Sequence, residues 1–81
     1  MTPKLLSATH AGGYRICLRF ADGTEATVDF ERELRGQVFE PLRDPERFRE
    51  FRVDEGFHTI EWPNGADFAP EFLYERACAA R

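Results

Sequence analysis

The stretch that decides the fold is YRICLRFADGTEATVDF, residues 14–30. Apolar and polar side chains alternate in 14–20 and again in 24–30, which is the period of a β-strand with one buried face. The segment between them, Ala21-Asp22-Gly23, contains the Asp-Gly pair that is typical of tight turns. The sequence therefore predicts an antiparallel β-hairpin.

The length of the turn follows from the two strand patterns. A two-residue loop would place Phe20 opposite Glu25 and bring carboxylates onto the apolar face. A three-residue loop places Phe20 opposite Thr24, which gathers the apolar side chains on one face and sets arginines opposite carboxylates on the other. The pairs in this register are Leu18 with Ala26, Ile16 with Val28, Tyr14 with Phe30, Arg19 with Glu25 and Arg15 with Asp29. We therefore expect a type I turn with Gly23 in the left-handed conformation.

The residues before this hairpin predict a further strand. It extends from Lys4 to His10, and Gly12-Gly13 supplies the turn that follows. Its apolar residues are Leu5, Leu6 and Ala8. Three consecutive strands joined by short turns form an antiparallel meander with one face toward the core.

Beyond residue 30 the pattern no longer fits a strand. Four apolar residues lack alternation, which indicates a helical turn followed by a packed loop. They are Leu34, Val38, Phe39 and Leu42, and Gly36 interrupts them. Asp44 followed by Pro45 is typical of a helix start, so we expect a short helix of about two turns with Phe48 and Phe51 on one face.

The last third of the chain predicts a second hairpin and a helix. The hairpin turns at Asp54-Glu55-Gly56, and its return strand ends at the turn Pro63-Asn64-Gly65. Phe51 and Val53 lead into the first of these turns, and His58, Ile60 and Trp62 lie on one side of the return strand. The helix extends from Pro70 to Ala79, with Leu73 and Ala77 facing the sheet.

The predicted fold is a single α+β domain, residues 1–81, because 81 residues suit one small core. It consists of an antiparallel meander sheet (β-β-β, a short helix, a β-hairpin) with a short C-terminal helix. No apolar run is long enough to span a membrane, and no secretory signal pattern follows Met1, so a cytoplasmic protein without a membrane partner is expected. Cys17 and Cys78 are expected to be free thiols, with a disulfide between them as the alternative.

Charge and motif content argue against several function classes. The net charge is −4, and the basic residues are interleaved with acids, so direct nucleic-acid binding is not expected. The two histidines, His10 and His58, lack the spacing of a metal site, and no catalytic or phosphate-binding motif is present. The carboxylate pairs lie in polar turn regions, where solvated groups are expected, rather than in a cleft. We therefore expect no metal, no cofactor and no enzymatic activity, and an enzyme with an unrecognised site is the weakest alternative.

The run Ile60-Glu61-Trp62-Pro63-Asn64-Gly65-Ala66-Asp67, followed by Pro70, Glu71 and Tyr74, resembles a small bacterial family, domain of unknown function 2442. The earlier segments F-x-D-G, from Phe20, and L-x-G-x-V-F-x-P-L, from Leu34, match the same family in register. The resemblance implies an α+β fold with a meander sheet and no known catalytic activity. In some relatives the domain precedes a helix-turn-helix unit, and others stand alone beside a second small protein, as in a toxin–antitoxin pair. This chain resembles the stand-alone form.

Two functional hypotheses follow. The first is a non-catalytic, cytoplasmic protein-interaction module, the antitoxin-like partner of a second small protein, with self-association as a further option. The second is a ligand-binding sensory or regulatory domain without its DNA-binding companion. The candidate recognition surface consists of Trp62, Asp67, Glu71, Tyr74 and Glu75, although turn chemistry alone also explains the Trp62–Asp67 run. A pocket lined by Trp62, Tyr74 and His58 would favour the second hypothesis, and an apolar patch or unpaired sheet edge the first.

Overall fold

A computed structural model describes residues 2–80 and contains two three-stranded antiparallel sheets. The strands are β1 (Leu5–His10), β2 (Arg15–Phe20), β3 (Glu25–Asp29), β4 (Arg52–Asp54), β5 (Thr59–Glu61) and β6 (Asp67–Phe68). The helices are α1 (Gly36–Phe39), α2 (Pro45–Phe48) and α3 (Pro70–Ala80), with single 3-10 turns at Glu31–Glu33 and Glu40–Arg43. The sheet orders are β1-β2-β3 and β4-β5-β6, so the predicted α+β fold is confirmed. Within residues 2–80, no helix has the length and apolarity that crossing a bilayer requires.

The register predicted for the first hairpin is confirmed. Ile16 pairs with Val28, and the Phe20 amide donates a hydrogen bond to the Thr24 carbonyl at 2.8 Å. Gly23 has a φ of +91°, as the three-residue loop requires. In this register the apolar face of the hairpin points inward, where Ile16 is fully buried, and the polar face points to solvent.

Strand β1 contains a bulge that its sequence pattern did not reveal. Leu5 pairs with Phe20 but Ser7 pairs with Arg19, so one extra residue, Leu6, is accommodated in β1. The bulge lets Leu5 and Ala8 both face the core although they are three residues apart. As a consequence Leu6 points outward and is 56% exposed.

The helix predicted at Asp44 forms but is shorter than expected. The Asp44 carboxylate caps it by accepting a hydrogen bond from the Glu46 amide at 3.1 Å. The helix ends at Phe48 after one turn, because β4 begins at Arg52 and leaves no room for a second turn. Phe51 therefore lies beyond the helix, although its ring still contacts that of Phe48, with centroids 6.2 Å apart.

The second sheet contains the predicted hairpin and one strand that was not predicted, β6. The hairpin turn lies at residues 55–58 and not at Asp54-Glu55-Gly56, so His58 belongs to the turn and not to the return strand. The turn Trp62-Pro63-Asn64-Gly65-Ala66 repeats the geometry of Phe20-Ala21-Asp22-Gly23-Thr24. In each, the aromatic amide donates to the carbonyl four residues on at 2.8 Å, and the glycine amide donates back to the aromatic carbonyl, at 3.1 Å from Gly23 and 3.0 Å from Gly65. In each, the Asx side chain accepts from the amide two residues ahead, at 2.9 Å for Asp22 and 3.1 Å for Asn64. The chain thus reverses and pairs β6 with β5.

An aromatic cluster joins the two sheets into one core. The Phe68 ring of β6 stacks on Phe30, which follows β3, at 5.1 Å, and on Phe39 of α1 at 4.9 Å. Trp62 contacts both Phe48 and Phe68, with ring centroids 5.8 and 5.6 Å away. Helix α3 packs against β3 and buries Leu73 and Ala77, as its four-residue spacing predicted.

Candidate functional site

The expectation that Trp62 contributes to an exposed recognition surface is wrong. Its side chain is only 3% exposed, and its indole Nε1 donates a hydrogen bond to the Phe48 carbonyl at 2.9 Å in the interior. Trp62 occupies the same position in its turn as Phe20 does in the first turn, and both rings are buried. The indole N–H is satisfied by the end of α2, so Trp62 belongs to the core.

Tyr74 faces the first hairpin. Its hydroxyl donates a hydrogen bond to the Asp22 carboxylate at 2.7 Å, and its ring meets Phe20 edge-on with centroids 5.1 Å apart. This hydrogen bond, together with one from the Thr24 amide, lowers the pKa of Asp22, and the Asp22 carboxylate raises the pKa of Tyr74. Tyr74 therefore ties α3 to the β2–β3 turn.

This contact should give the stability of the domain a specific pH dependence. Because the folded-state pKa of Asp22 is lowered, its contribution is present above about pH 4 and is lost as pH falls through the lowered value. Because the folded-state pKa of Tyr74 is raised, its contribution is present below about pH 10 and is lost as pH rises through the raised value. We expect Tyr74→Phe to lower the melting temperature slightly at neutral pH. The difference in melting temperature between Tyr74→Phe and wild type should shrink as the pH is lowered from neutral toward 3. An equal difference at neutral pH and at pH 3 would contradict this role.

Two of the predicted surface residues, Asp67 and Glu71, line one groove of about 590 Å³. The groove lies between the β4–β5 hairpin and the start of α3. Its walls are formed by Asp54, Phe57, Thr59, Glu61, Asp67, Ala69, Pro70 and Glu71. We call it the acidic groove, since it contains four carboxylates and none of the basic side chains in residues 2–80. Glu75 is exposed and four residues beyond Glu71 on α3, but it lies outside the groove.

Phe57 is the residue of this groove that the sequence reasoning missed. It is 77% exposed, the most exposed large apolar side chain in the described part of the chain. The β4–β5 turn holds it there, because Asp54 accepts hydrogen bonds from the amides of Gly56, at 2.8 Å, and His58, at 2.6 Å. His58 adopts a φ of +56°, which is uncommon for a residue with a side chain. A phenylalanine inside the polar turn DEGFH was the available signal.

A second cleft gathers basic residues that are interleaved with acids along the sequence. Four arginines, Arg32, Arg35, Arg43 and Arg76, line a cleft of about 500 Å³ together with Asp29 and Glu31. These arginines come from the segment after β3, from the 3-10 turn before α2 and from α3. Arg32, Arg35 and Arg43 come from one segment of the chain, and only the tertiary fold brings the distant Arg76 to them. We call this site the arginine cleft.

Neither the histidines nor the cysteines line the acidic groove or the arginine cleft. His10 contacts the Gly13 carbonyl at 3.0 Å, and His58 lines a small depression with Leu6 and Val53 rather than a pocket shared with Trp62 and Tyr74. Within residues 2–80, no three histidine, cysteine or carboxylate side chains are grouped so as to hold a metal ion. Cys17 is half-buried and Cys78 exposed, and both are free thiols.

Comparison with known proteins gives one match. A family model described as "Protein of unknown function (DUF2442)" matches residues 5–78. Neither among curated proteins nor among solved structures does any chain show significant similarity.

Proposed function

Because the chain belongs to the DUF2442 family over nearly its whole length, and this family has no assigned activity, we propose a function from the geometry of the acidic groove. The protein is a non-catalytic interaction module that binds a basic segment of a partner protein. In the cytoplasm of a bacterium, the natural partner is a second small protein with an exposed Lys- or Arg-rich surface. The module is then its antitoxin-like counterpart.

The exposed Phe57 ring beside the groove is the observation that carries this proposal. An aromatic side chain that is 77% exposed gains about 1.5–3 kcal/mol when a partner buries it. Aromatic residues of this kind recur as the few interface positions that carry most of the binding free energy. The hydrogen bonds to Asp54 fix the backbone of the β4–β5 turn that carries the ring, which lowers the entropic cost of association.

The carboxylates of the groove determine the charge of the partner. Asp54, Asp67 and Glu71 form no ion pair within the described residues, whereas Glu61 is paired with Arg52 at 3.0 Å. Three unpaired carboxylates around one apolar anchor favour a segment that presents Lys or Arg next to an apolar side chain. Such a charge arrangement accelerates association and makes it sensitive to salt.

Affinity capture with matched variants tests this function. Tagged wild type captures proteins from host cells, and each captured candidate is then purified and titrated against wild type, Phe57→Ser and the double variant Asp67→Asn/Glu71→Gln. We expect both variants to bind about tenfold more weakly or worse, with the loss for the double variant larger at low salt. The control Glu46→Gln/Glu50→Gln also removes two exposed carboxylates, but outside the groove, and should bind within about twofold of wild type.

The same titration distinguishes binding at the acidic groove from binding elsewhere on α3. Glu75→Gln should have little effect, because Glu75 lies one turn past the groove. A partner that binds wild type, Phe57→Ser and Asp67→Asn/Glu71→Gln with one affinity and one salt dependence would rule out this groove as the interface.

The ligand-binding regulatory alternative is favoured by a different observation, the arginine cleft. The two sites share no lining residue, so each can be tested without disturbing the other.

A further inference from the structure

We propose that the arginine cleft binds a small phosphate-bearing molecule of nucleotide size. The inference is independent of the acidic groove and gives the regulatory alternative a ligand class. Four guanidinium groups line a single concave site in a protein whose net charge is −4, so this cleft is a local reversal of the overall charge. Guanidinium groups match phosphate oxygens with paired, charge-assisted hydrogen bonds.

Arg43 is held in position before any ligand arrives. Its Nη1 donates a hydrogen bond to the Leu34 carbonyl at 3.3 Å, which restricts the motion of the guanidinium. Its own carbonyl accepts a hydrogen bond from the Tyr14 hydroxyl, which anchors the backbone to the start of the first hairpin. A donor that is already oriented loses less conformational entropy on binding than a free side chain does.

Arg76 is oriented from α3 by two further contacts. Its Nη2 lies 3.1 Å from Glu33 Oε1, and its guanidinium carbon lies 5.9 Å from the centre of the Phe72 ring. The Glu33 side chain is only 18% exposed, so this pair is screened less than a surface ion pair. The Glu33 carboxylate thus neutralises part of the Arg76 charge, and Arg76 acts chiefly as a fixed wall of the cleft.

Arg32 and Arg35 are the two arginines of the cleft whose side chains make neither an ion pair nor a hydrogen bond within residues 2–80. Both are exposed, and neither takes part in an ion pair formed within residues 2–80. They are three residues apart on either side of Leu34, whose buried side chain anchors this segment to the core. We assign to them the main contacts with the phosphate oxygens.

The two carboxylates of the cleft limit the ligand to a compact one. Asp29 accepts the Glu31 amide at 2.9 Å, so both acids lie at the β3 end of the site. They repel an extended polyanion but can accept hydrogen bonds from hydroxyl or amino groups of a small molecule. The volume of about 500 Å³ falls within the usual range for small-molecule sites. A phosphate ester with hydroxyl groups, such as a nucleoside phosphate or a sugar phosphate, fits both features.

Titration with defined probes at constant ionic strength tests the proposal. Pyrophosphate, adenosine diphosphate, citrate and a short single-stranded DNA are each added to the full chain, and amide and arginine side-chain NMR signals are followed. We expect saturable binding of pyrophosphate and of adenosine diphosphate, with shifts concentrated in residues 29–35, 43 and 76. Arg32→Gln/Arg35→Gln should weaken it about tenfold or more, whereas Arg19→Gln/Arg49→Gln, which removes two exposed arginines elsewhere, should change it less than about twofold.

The other measurements also decide whether the arginine cleft is a phosphate site. Asp67→Asn/Glu71→Gln should leave phosphate binding unchanged, so failure of the acidic groove and failure of this cleft are distinguishable. The proposal is overturned when neither phosphate probe saturates, when both arginine double variants lose affinity equally, when citrate binds as tightly as the phosphates, or when the DNA binds more tightly than adenosine diphosphate.

Discussion

Replacement of Trp62 by alanine is expected to lower the free energy of unfolding by about 3–5 kcal/mol, the range for large aromatic residues removed from a core. Trp62 contacts the rings of Phe39, Phe48 and Phe68, which belong to three different elements of the structure. Removing it leaves a cavity at the junction of the two sheets. For a domain of this size the loss corresponds to a fall in melting temperature of more than about 12 °C.

The variant Trp62→Phe separates packing from hydrogen bonding at this position. It retains most of the ring contacts but removes the donor to the Phe48 carbonyl, for which we expect a cost of about 1–3 kcal/mol. Phe57→Ala is the matched control, because an aromatic residue that is 77% exposed should change stability by less than about 0.5 kcal/mol. Melting curves followed by far-ultraviolet circular dichroism measure all three. Equal melting temperatures for Trp62→Phe and wild type would contradict a buried, hydrogen-bonded indole.

Replacement of Gly23 or Gly65 by valine is expected to cost about 1–3 kcal/mol at either site. Both glycines have positive φ, +91° and +92°, which β-branched residues strongly resist. A Cβ at either position meets no other atom within 4 Å, so the cost arises from the backbone conformation and not from a collision. The measurement is chemical denaturation of each single variant.

Asparagine provides the control at both glycine positions. Asn tolerates the left-handed region far better than Val does, so Gly23→Asn and Gly65→Asn should be clearly more stable than the valine variants. A Gly23→Val protein that unfolds at the wild-type denaturant concentration would mean that the turn does not require a left-handed residue, and the hairpin register would lose its support.

The first hairpin shows how much of the fold is predictable from the sequence. Its strands are long enough for the alternation of side chains to select one register, and the loop length then follows. Trp62-Pro63-Asn64-Gly65 has the same aromatic-x-Asx-Gly pattern as Phe20–Gly23, so the turn before β6 was visible in the sequence, but the strand was not. It was missed because β6 has only two residues, which is too short for a visible period.

The candidate sites were less predictable for physical reasons. Burial of Trp62 depends on Phe48 and Phe68, which pack onto it only in the tertiary structure. In the arginine cleft, Arg32, Arg35 and Arg43 are interleaved with acids along one segment, and the distant Arg76 joins them only in the tertiary structure. Asp67 and Glu71, by contrast, could be placed together from the sequence, because they are close in the chain and flank the start of one helix, α3.

The strand order has a consequence for the entropy of folding. In each sheet every strand pairs only with its neighbour along the chain, and the two turns of repeated geometry close loops of a few residues. One large loop is closed when β4 contacts β1. Another, of about 40 residues from Asp29 to Pro70, is closed when α3 reaches β3, which costs about 2 kcal/mol more than closing a loop of four. Pairing between strands that follow one another in the chain favours rapid folding of each sheet. Arg76 and Asp29 lie on opposite sides of the loop between β3 and α3, so the arginine cleft exists only in chains that have closed it.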